Sequence, residues 1–196
     1  MVFLSDAPGR PTTVAIDFVG LEPDTYHAIH VHEGRLSPGE VCHSVGPHWN
    51  PLGQPHGSLL VDERERHAGD LCNNILSDHA GAVRTTYQDT TIDLWIPLLS
   101  PVGHSVVVHQ GTDDLGLGGV FRRRGRVSPP LVDGSGGGHF VLYENMSSDT
   151  LMGLYDQARY GVATSGESSL HKLLAESKKT GNAGGRAACA NVVALA

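Results

Sequence analysis

The stretch "HAIHVHE" (27–33) places His27, His30 and His32 within six residues. In an extended strand, residues two apart share a face, so His30 and His32 stand side by side while Ile29 and Val31 point the other way. Farther along, "CHSVGPHWNPLGQPHG" and "HAGDLCN" supply His48, His56, His67 and Asp70, spaced 8, 11 and 3 apart. Three imidazoles and one carboxylate suit a tetrahedral zinc site. "VVVH" ends another strand-like run, with His109 on the face opposite Val106 and Val108. His109 is therefore a candidate partner for His30 and His32, and an imidazole-rich site of this kind suits copper. A lone His-x-His is more often polar surface than ligand.

The elements that must position these groups read as short strands. "TTVAIDFVG" (12–20) alternates Val14, Ile16 and Phe18 with Thr13, Ala15 and Asp17. "HAIHVHE", "TTIDLWIPL" (90–98) and "GHSVVVHQG" (103–111) are β-branched runs bounded by turn residues, which predicts an antiparallel sandwich or barrel. From Glu33 to His79 the chain reads as a long loop rich in Gly, Pro, His and Asn, and a loop of that length in a compact domain is usually functional. After Val120 the character changes. "FRRRGR" is basic and "SPPLVDGSGGG" is flexible by composition. "HFVLYEN" (139–145) reads as a strand, and 148–161 and 168–179 as short helices with apolar faces.

Composition sets the outer limits. The 196 residues, 39% hydrophobic and 18% charged, suffice for one domain with a full core. Twenty-five glycines favour a turn-rich, all-β architecture. The formal charge of −7 argues against nucleic acid or an anionic membrane surface as partner. No apolar run is long enough to span a bilayer. "MVFLSDAPGR" shows neither a basic n-region nor an apolar h-region, so the expected location is cytoplasmic, with a secreted or virion-associated one as the alternative. Cys42, Cys72 and Cys189 are an odd number, which a closed disulfide framework cannot use up.

The order of "HVHE", "CHSVGPHWNPLGQPHG", "HAGDL", "VVVHQGTDDLGLGG" and "KTGNAGGRAAC" resembles the eukaryotic type of copper–zinc superoxide dismutase. The matching pieces cover nearly all of 12–119 and 179–196. The resemblance implies a Greek-key β-barrel with long metal-binding and channel loops. It implies copper ligands His30, His32, His48 and His109, and zinc ligands His48, His56, His67 and Asp70, with His48 bridging. Asp113 would link a copper-bound and a zinc-bound imidazole through their free N–H groups. Cys42 and Cys189 would form the family's disulfide. Arg186 would attract and orient the superoxide anion, its guanidinium charged at any neutral pH. Lys178 and Lys179 could add to a local positive field, or be ordinary solvated side chains. Cys72, where relatives commonly carry glycine, reads as a small buried thiol. His27, His43, His79, His104, His139 and His171 match no ligand position.

The implied activity is dismutation of superoxide to oxygen and hydrogen peroxide. The alternative is an inactive copper-binding or chaperone-binding decoy. A homodimer and a copper chaperone are the partners that the resemblance suggests. Two departures stand out. The first strand of relatives has no counterpart ahead of "MVFLSDA", which leaves a barrel edge that "HFVLYEN" could fill. A single domain is expected over 1–196, with a partly helical or disordered insertion at about 120–178.

Overall fold

The structure, a computed structural model, describes residues 1–59, 65–116 and 175–195. Two antiparallel sheets face each other. The first has the order β1 (Val2–Leu4), β2 (Thr12–Phe18), β5 (Val83–Asp89). The second runs β4 (Asp70–Leu76), β3 (Tyr26–His32), β6 (Ser105–His109), β7 (Arg186–Asn191). The non-sequential neighbours β2–β5 and β3–β6 are what Greek-key connections produce. Among the described residues no helix is long and apolar enough to cross a membrane.

Alternation places the core. Val14 and Ile16 of β2, Ile29 and Val31 of β3, Val83 and Tyr87 of β5, and Val106 and Val108 of β6 meet in one buried cluster between the sheets. Each buried aliphatic side chain contributes about 1.5–3 kcal/mol. Ile29 and Val31 are fully buried there, which turns His30 and His32 to the other face.

Two readings of local structure need correction, and one strand was not read at all. Residues 90–98 are not a strand: they form turns and enter a 3-10 turn at Pro97–Leu99. Asp93 forces the reversal, its carboxylate accepting from the backbone N–H of Trp95 and of Gly9. Residues 70–76 are the strand β4, not part of a loop. Six of its seven residues are buried on both faces, so it lacks polar–apolar alternation. Residues 83–89 form β5, whose alternation of buried Val83, Tyr87 and Asp89 with exposed Arg84, Thr86 and Gln88 was there to be read. The candidate strand 139–145 and helix 148–161 lie outside the described residues. Residues 175–180, the described end of the second helix candidate, are helical.

The long loop is stitched to the sheet by backbone. Trp49 N donates to Val31 O, Val31 N to Gly69 O, and Gly69 N to Trp49 O, at 2.8, 2.8 and 2.9 Å. A Cβ on Gly69 would collide with the Val31 and Trp49 carbonyls, so only glycine lets the strands of the loop approach this closely. Asp114 closes the far loop: it accepts from Ser177 Oγ and Asn182 Nδ2, both at 2.7 Å, and its own N–H donates to Gly181 O at 2.7 Å.

Candidate metal centre

Each ligand comes from an element with a reason to hold it. His30 and His32 are on β3, His109 ends β6, and His48 is bridged to His32 through backbone. Register shifts fall between Ile29 and His30 on β3, and between Val108 and His109 on β6. Irregularities of this kind re-aim side chains at functional sites.

Two donor clusters result. One nitrogen each of His30, His32, His48 and His109 lies within 4.8 Å of the others. The same limit holds for His48, His56, His67 and Asp70. In the second cluster Asp70 Oδ1 is 3.0, 2.9 and 3.1 Å from the Nδ1 atoms of His48, His56 and His67. A tetrahedral ion with bonds of about 2.0–2.1 Å spaces its ligand atoms about 3.3–3.4 Å apart, close to this arrangement. The other oxygen, Oδ2, accepts from the N–H of Gly57 at 2.9 Å and of His67 at 3.0 Å, which fixes the carboxylate.

In the first cluster every ring has one nitrogen committed to the protein and one facing inward. His30 Nε2 meets Asp113 Oδ2 at 2.6 Å, His32 Nδ1 donates to Gly46 O at 2.8 Å, and His109 Nδ1 to Gly184 O at 3.3 Å. The inward atoms His30 Nδ1 and His48 Nε2 are buried without a hydrogen-bond partner, and His32 Nε2 sits 3.3 Å from His109 Nε2. Unpartnered buried nitrogens are costly unless something electropositive sits among them. The donor set therefore fits a cation in each pocket, and His48 has one nitrogen in each.

Asp113 spans the two. Its Oδ2 is bound to His30 and its Oδ1 lies 2.9 Å from His56 Nε2. Burial alone would raise the Asp113 carboxyl; the charge of His56 and hydrogen bonds from His30 and His56 outweigh it and hold the group ionised. Asp70 is held low in the same way, burial being overcome by His56 and by bonds from three imidazoles. Burial pushes His32 down to about 2 and His109 to about 4, with His48 and Arg186 also lowering both. Their rings are neutral near pH 7, the form in which imidazole binds metal.

A family model of copper/zinc superoxide dismutase (SODC) matches residues 1–141. The chain is 41% identical over 118 residues to "Superoxide dismutase [Cu-Zn]" of Candida albicans, covering 60% of this chain and 73% of that one. It is 38% identical over 117 residues to the protein of that name from Saccharomyces cerevisiae, covering 59% and 72%. With that from Paramecium bursaria Chlorella virus 1 it shares 43% over 107 residues, 54% of each chain.

This chain belongs to the copper/zinc superoxide dismutase family.

As a superoxide dismutase family member it carries a Cys42–Cys189 disulfide, with Cα atoms 5.6 Å apart, joining the long loop to β7. Arg186, at the start of β7, donates through Nη1 to Cys42 O at 2.6 Å and through Nη2 to Gly46 O. Cys72 is a free, buried thiol that burial pushes well up, so it is inert as a nucleophile. His27 supports the site from behind, its Nδ1 donating to His109 O at 2.9 Å. His104 stacks at 5.0 Å on Trp49, and His79 pairs with Asp24 at the surface. His139 and His171 lie outside the described residues.

Sequence reasoning missed a supporting layer. Asn73 Nδ2 donates to Asp113 Oδ2 at 2.9 Å, and Asn74 exchanges bonds with the Asp113 backbone at 2.8 and 3.0 Å. Arg66, buried, donates to Asp70 O at 2.8 Å and forks onto both oxygens of Asp89 at 3.1 Å. The pair "NN" inside an apolar strand was the available signal. Arg66 sits in a run of charges and had none.

Proposed function

We propose that the protein dismutes superoxide, with copper held by His30, His32, His48 and His109 and zinc by His48, His56, His67 and Asp70. The observation that carries the reading is His48: Nδ1 lies 3.0 Å from Asp70 Oδ1, and Nε2 points unpartnered into the other cluster. When bound, copper supplies the one-electron couple that oxidises one superoxide and reduces the next, and zinc supplies a fixed positive charge on the far side of the shared ring.

The chain's own groups do the rest. Arg186 keeps a cation beside His32 and His109, where it attracts the anion and orients it. Its guanidinium is held in place by the two carbonyls, so little reorganisation is needed when an anion arrives. His48 Nε2 is the atom placed to hold a proton and pass it to the reduced product, which needs two. Asp113 keeps the His30 and His56 rings from rotating and strengthens both as donors. Lys178 and Lys179 join this reading as a weak local field; Lys179 is exposed, and Lys178 O anchors His56 N at 3.0 Å.

The reading extends to a homodimer, for which the exposed Trp95, Ile96 and Leu98 offer apolar surface to bury. Copper delivery by a chaperone and cytosolic residence belong to it as well. A single domain interrupted by an insertion at about 120–178 is supported by the bonds of Asp114 to Ser177 and Asn182 across it.

Dismutase assay of the chain loaded with both metals tests the proposal, alongside Arg186→Ala. Loaded wild type should be active and the variant markedly slower at equal metal content. Background activity in fully loaded wild type would leave only metal binding, the decoy's property.

A further inference from the structure

The loop that receives Arg186 is tied to β7 by more than its disulfide. Asn191 stands two residues beyond Cys189 on β7, and therefore on the same face of the strand. Its Oδ1 accepts from Leu36 N at 2.7 Å and its Nδ2 donates to Leu36 O at 2.8 Å. A side-chain amide that bonds a backbone residue in both directions pairs with it much as a neighbouring strand would. Ser105, the cross-strand partner of Asn191 on β6, is buried and donates from Oγ to the same Oδ1 at 2.9 Å, which fixes the way the amide faces.

Bonds within the loop carry this hold from Leu36 to the Arg186 side. Gly34 N donates to Val45 O at 2.8 Å and closes the base. Glu40 Oε2 accepts from Ser37 N at 2.8 Å, next to Leu36, and from Ser44 Oγ at 3.2 Å, inside the 3-10 turn Cys42–Val45. That turn and the glycine after it present the Cys42 and Gly46 carbonyls to Arg186. Asn191 and Arg186, from one strand, thus grip one internally bonded loop.

We propose that Asn191 is a positioning residue for Arg186: its clamp on Leu36 limits how far the Cys42 and Gly46 carbonyls leave the guanidinium when the Cys42–Cys189 bond is open. The part given to Arg186 rests on the dismutase reading; the clamp does not. While the bond is closed, it holds the turn at Cys42 by itself and the clamp adds little there. Once the bond opens, two hydrogen bonds correspond to on the order of tenfold or more in the equilibrium for local opening of the loop.

Amide hydrogen exchange on the full-length, metal-loaded chain tests this, in the native protein and in Cys42→Ser/Cys189→Ser, which opens the bond without a thiol reductant to compete for copper. Asn191→Val removes the clamp; Asn191→Asp keeps the acceptor and loses the donor to Leu36 O. In the open-bond background Asn191→Val should speed exchange over residues 42–46 at least about tenfold, with β3 and copper content unchanged. With the bond intact the acceleration should be several-fold smaller. Asn191→Asp, which still accepts from Ser105 Oγ, carries the comparison if Asn191→Val disturbs β3. In the open-bond background dismutase kcat/KM should also fall with Asn191→Val, and that loss should not add to the loss from Arg186→Ala. Exchange over 42–46 that is already fast with Asn191 present, that the substitution leaves unchanged, or that rises equally in both backgrounds overturns the proposal. So does a kcat/KM loss that adds in full to that of Arg186→Ala. Background activity in the loaded native protein would strike the dismutase reading and leave the exchange result to decide the clamp.

Discussion

His32 and Arg186 donate to the same carbonyl oxygen, that of Gly46. One peptide unit thereby sets both a ring of the first donor cluster and the cation that, under the proposed function, would meet the substrate. Gly46 achieves this with φ 72° and ψ −154°, a region that only glycine enters without strain.

Gly46→Val should therefore cost about 1–3 kcal/mol of stability and turn the carbonyl away from both donors. No atom lies within 4 Å of the added Cβ, so backbone strain and not collision is the cause. Dismutase kcat/KM should fall with copper still bound. Unchanged activity in a folded, fully loaded variant would refute the coupling.

Arg186→Lys should separate charge from geometry. A lysine retains the attraction but cannot hold two carbonyls with a planar fork. Activity should lie between wild type and Arg186→Ala, and Arg186→Ala should lose on the order of 10-fold or more of the steered rate, with a flatter salt dependence. Stopped-flow decay of superoxide across ionic strength measures both.

Asp113→Asn leaves one amide in place of two acceptors that serve His30 and His56. Affinity for both metals should fall about 10–100-fold. Competition with a chelator reads this directly. Gly181→Ala should act in the same direction, because its Cβ would strike the Asp113 carboxylate and the His56 ring.

Acid should destabilise the metal-free chain before it protonates the carboxylates. His32 and His109 are lowered by burial, His109 to about 4, so the folded state resists binding protons that the unfolded chain accepts near pH 6.5. Stability contributed by their neutral forms is present above pH 6.5 and is lost as pH falls toward about 4. His56 is raised, its burial outweighed by Asp113 and Asp70, so its contribution grows as pH falls to about 6.5 and is constant below, offsetting the loss only at the top of the range. Urea midpoints should fall between about pH 6 and 4 without metal. Loaded protein should hold its midpoint until the metals are released.

Reducing the Cys42–Cys189 bond removes a crosslink across a sequence separation of 147, for which chain entropy gives about 5 kcal/mol before strain is subtracted. It also frees the Cys42 carbonyl that receives Arg186. Cys42→Ser should lower the thermal midpoint and raise KM more than it lowers kcat.

How much was legible depended on whether one face of an element carried the signal. His30 and His32 stood out because Ile29 and Val31 take the core and a period of two leaves the histidines together. The Asp70 cluster was legible as spacing within a family pattern. β4 was not, since Asp70 turns to its histidine cluster, Asn73 sits at φ 49° and donates to Asp113, and Asn74 bonds the Asp113 backbone, so its polar residues point into the interior and leave no alternation to read. Residues 90–98 misled in the opposite sense: Ile92, Leu94 and Ile96 have strand-like composition, but Asp93 and Pro97 turn the backbone. Asp113 was legible through the family motif. The Gly46 carbonyl was not, because a backbone oxygen leaves no letter in the sequence.

The bonds from Asp114 to Ser177 and Asn182 bring the two feet of a long excursion to one fastened point. Once a loop's base is fastened, doubling its length costs only about 0.6 kcal/mol. Evolution can thus lengthen, exchange or retask everything between those feet without the two donor clusters beneath registering the change.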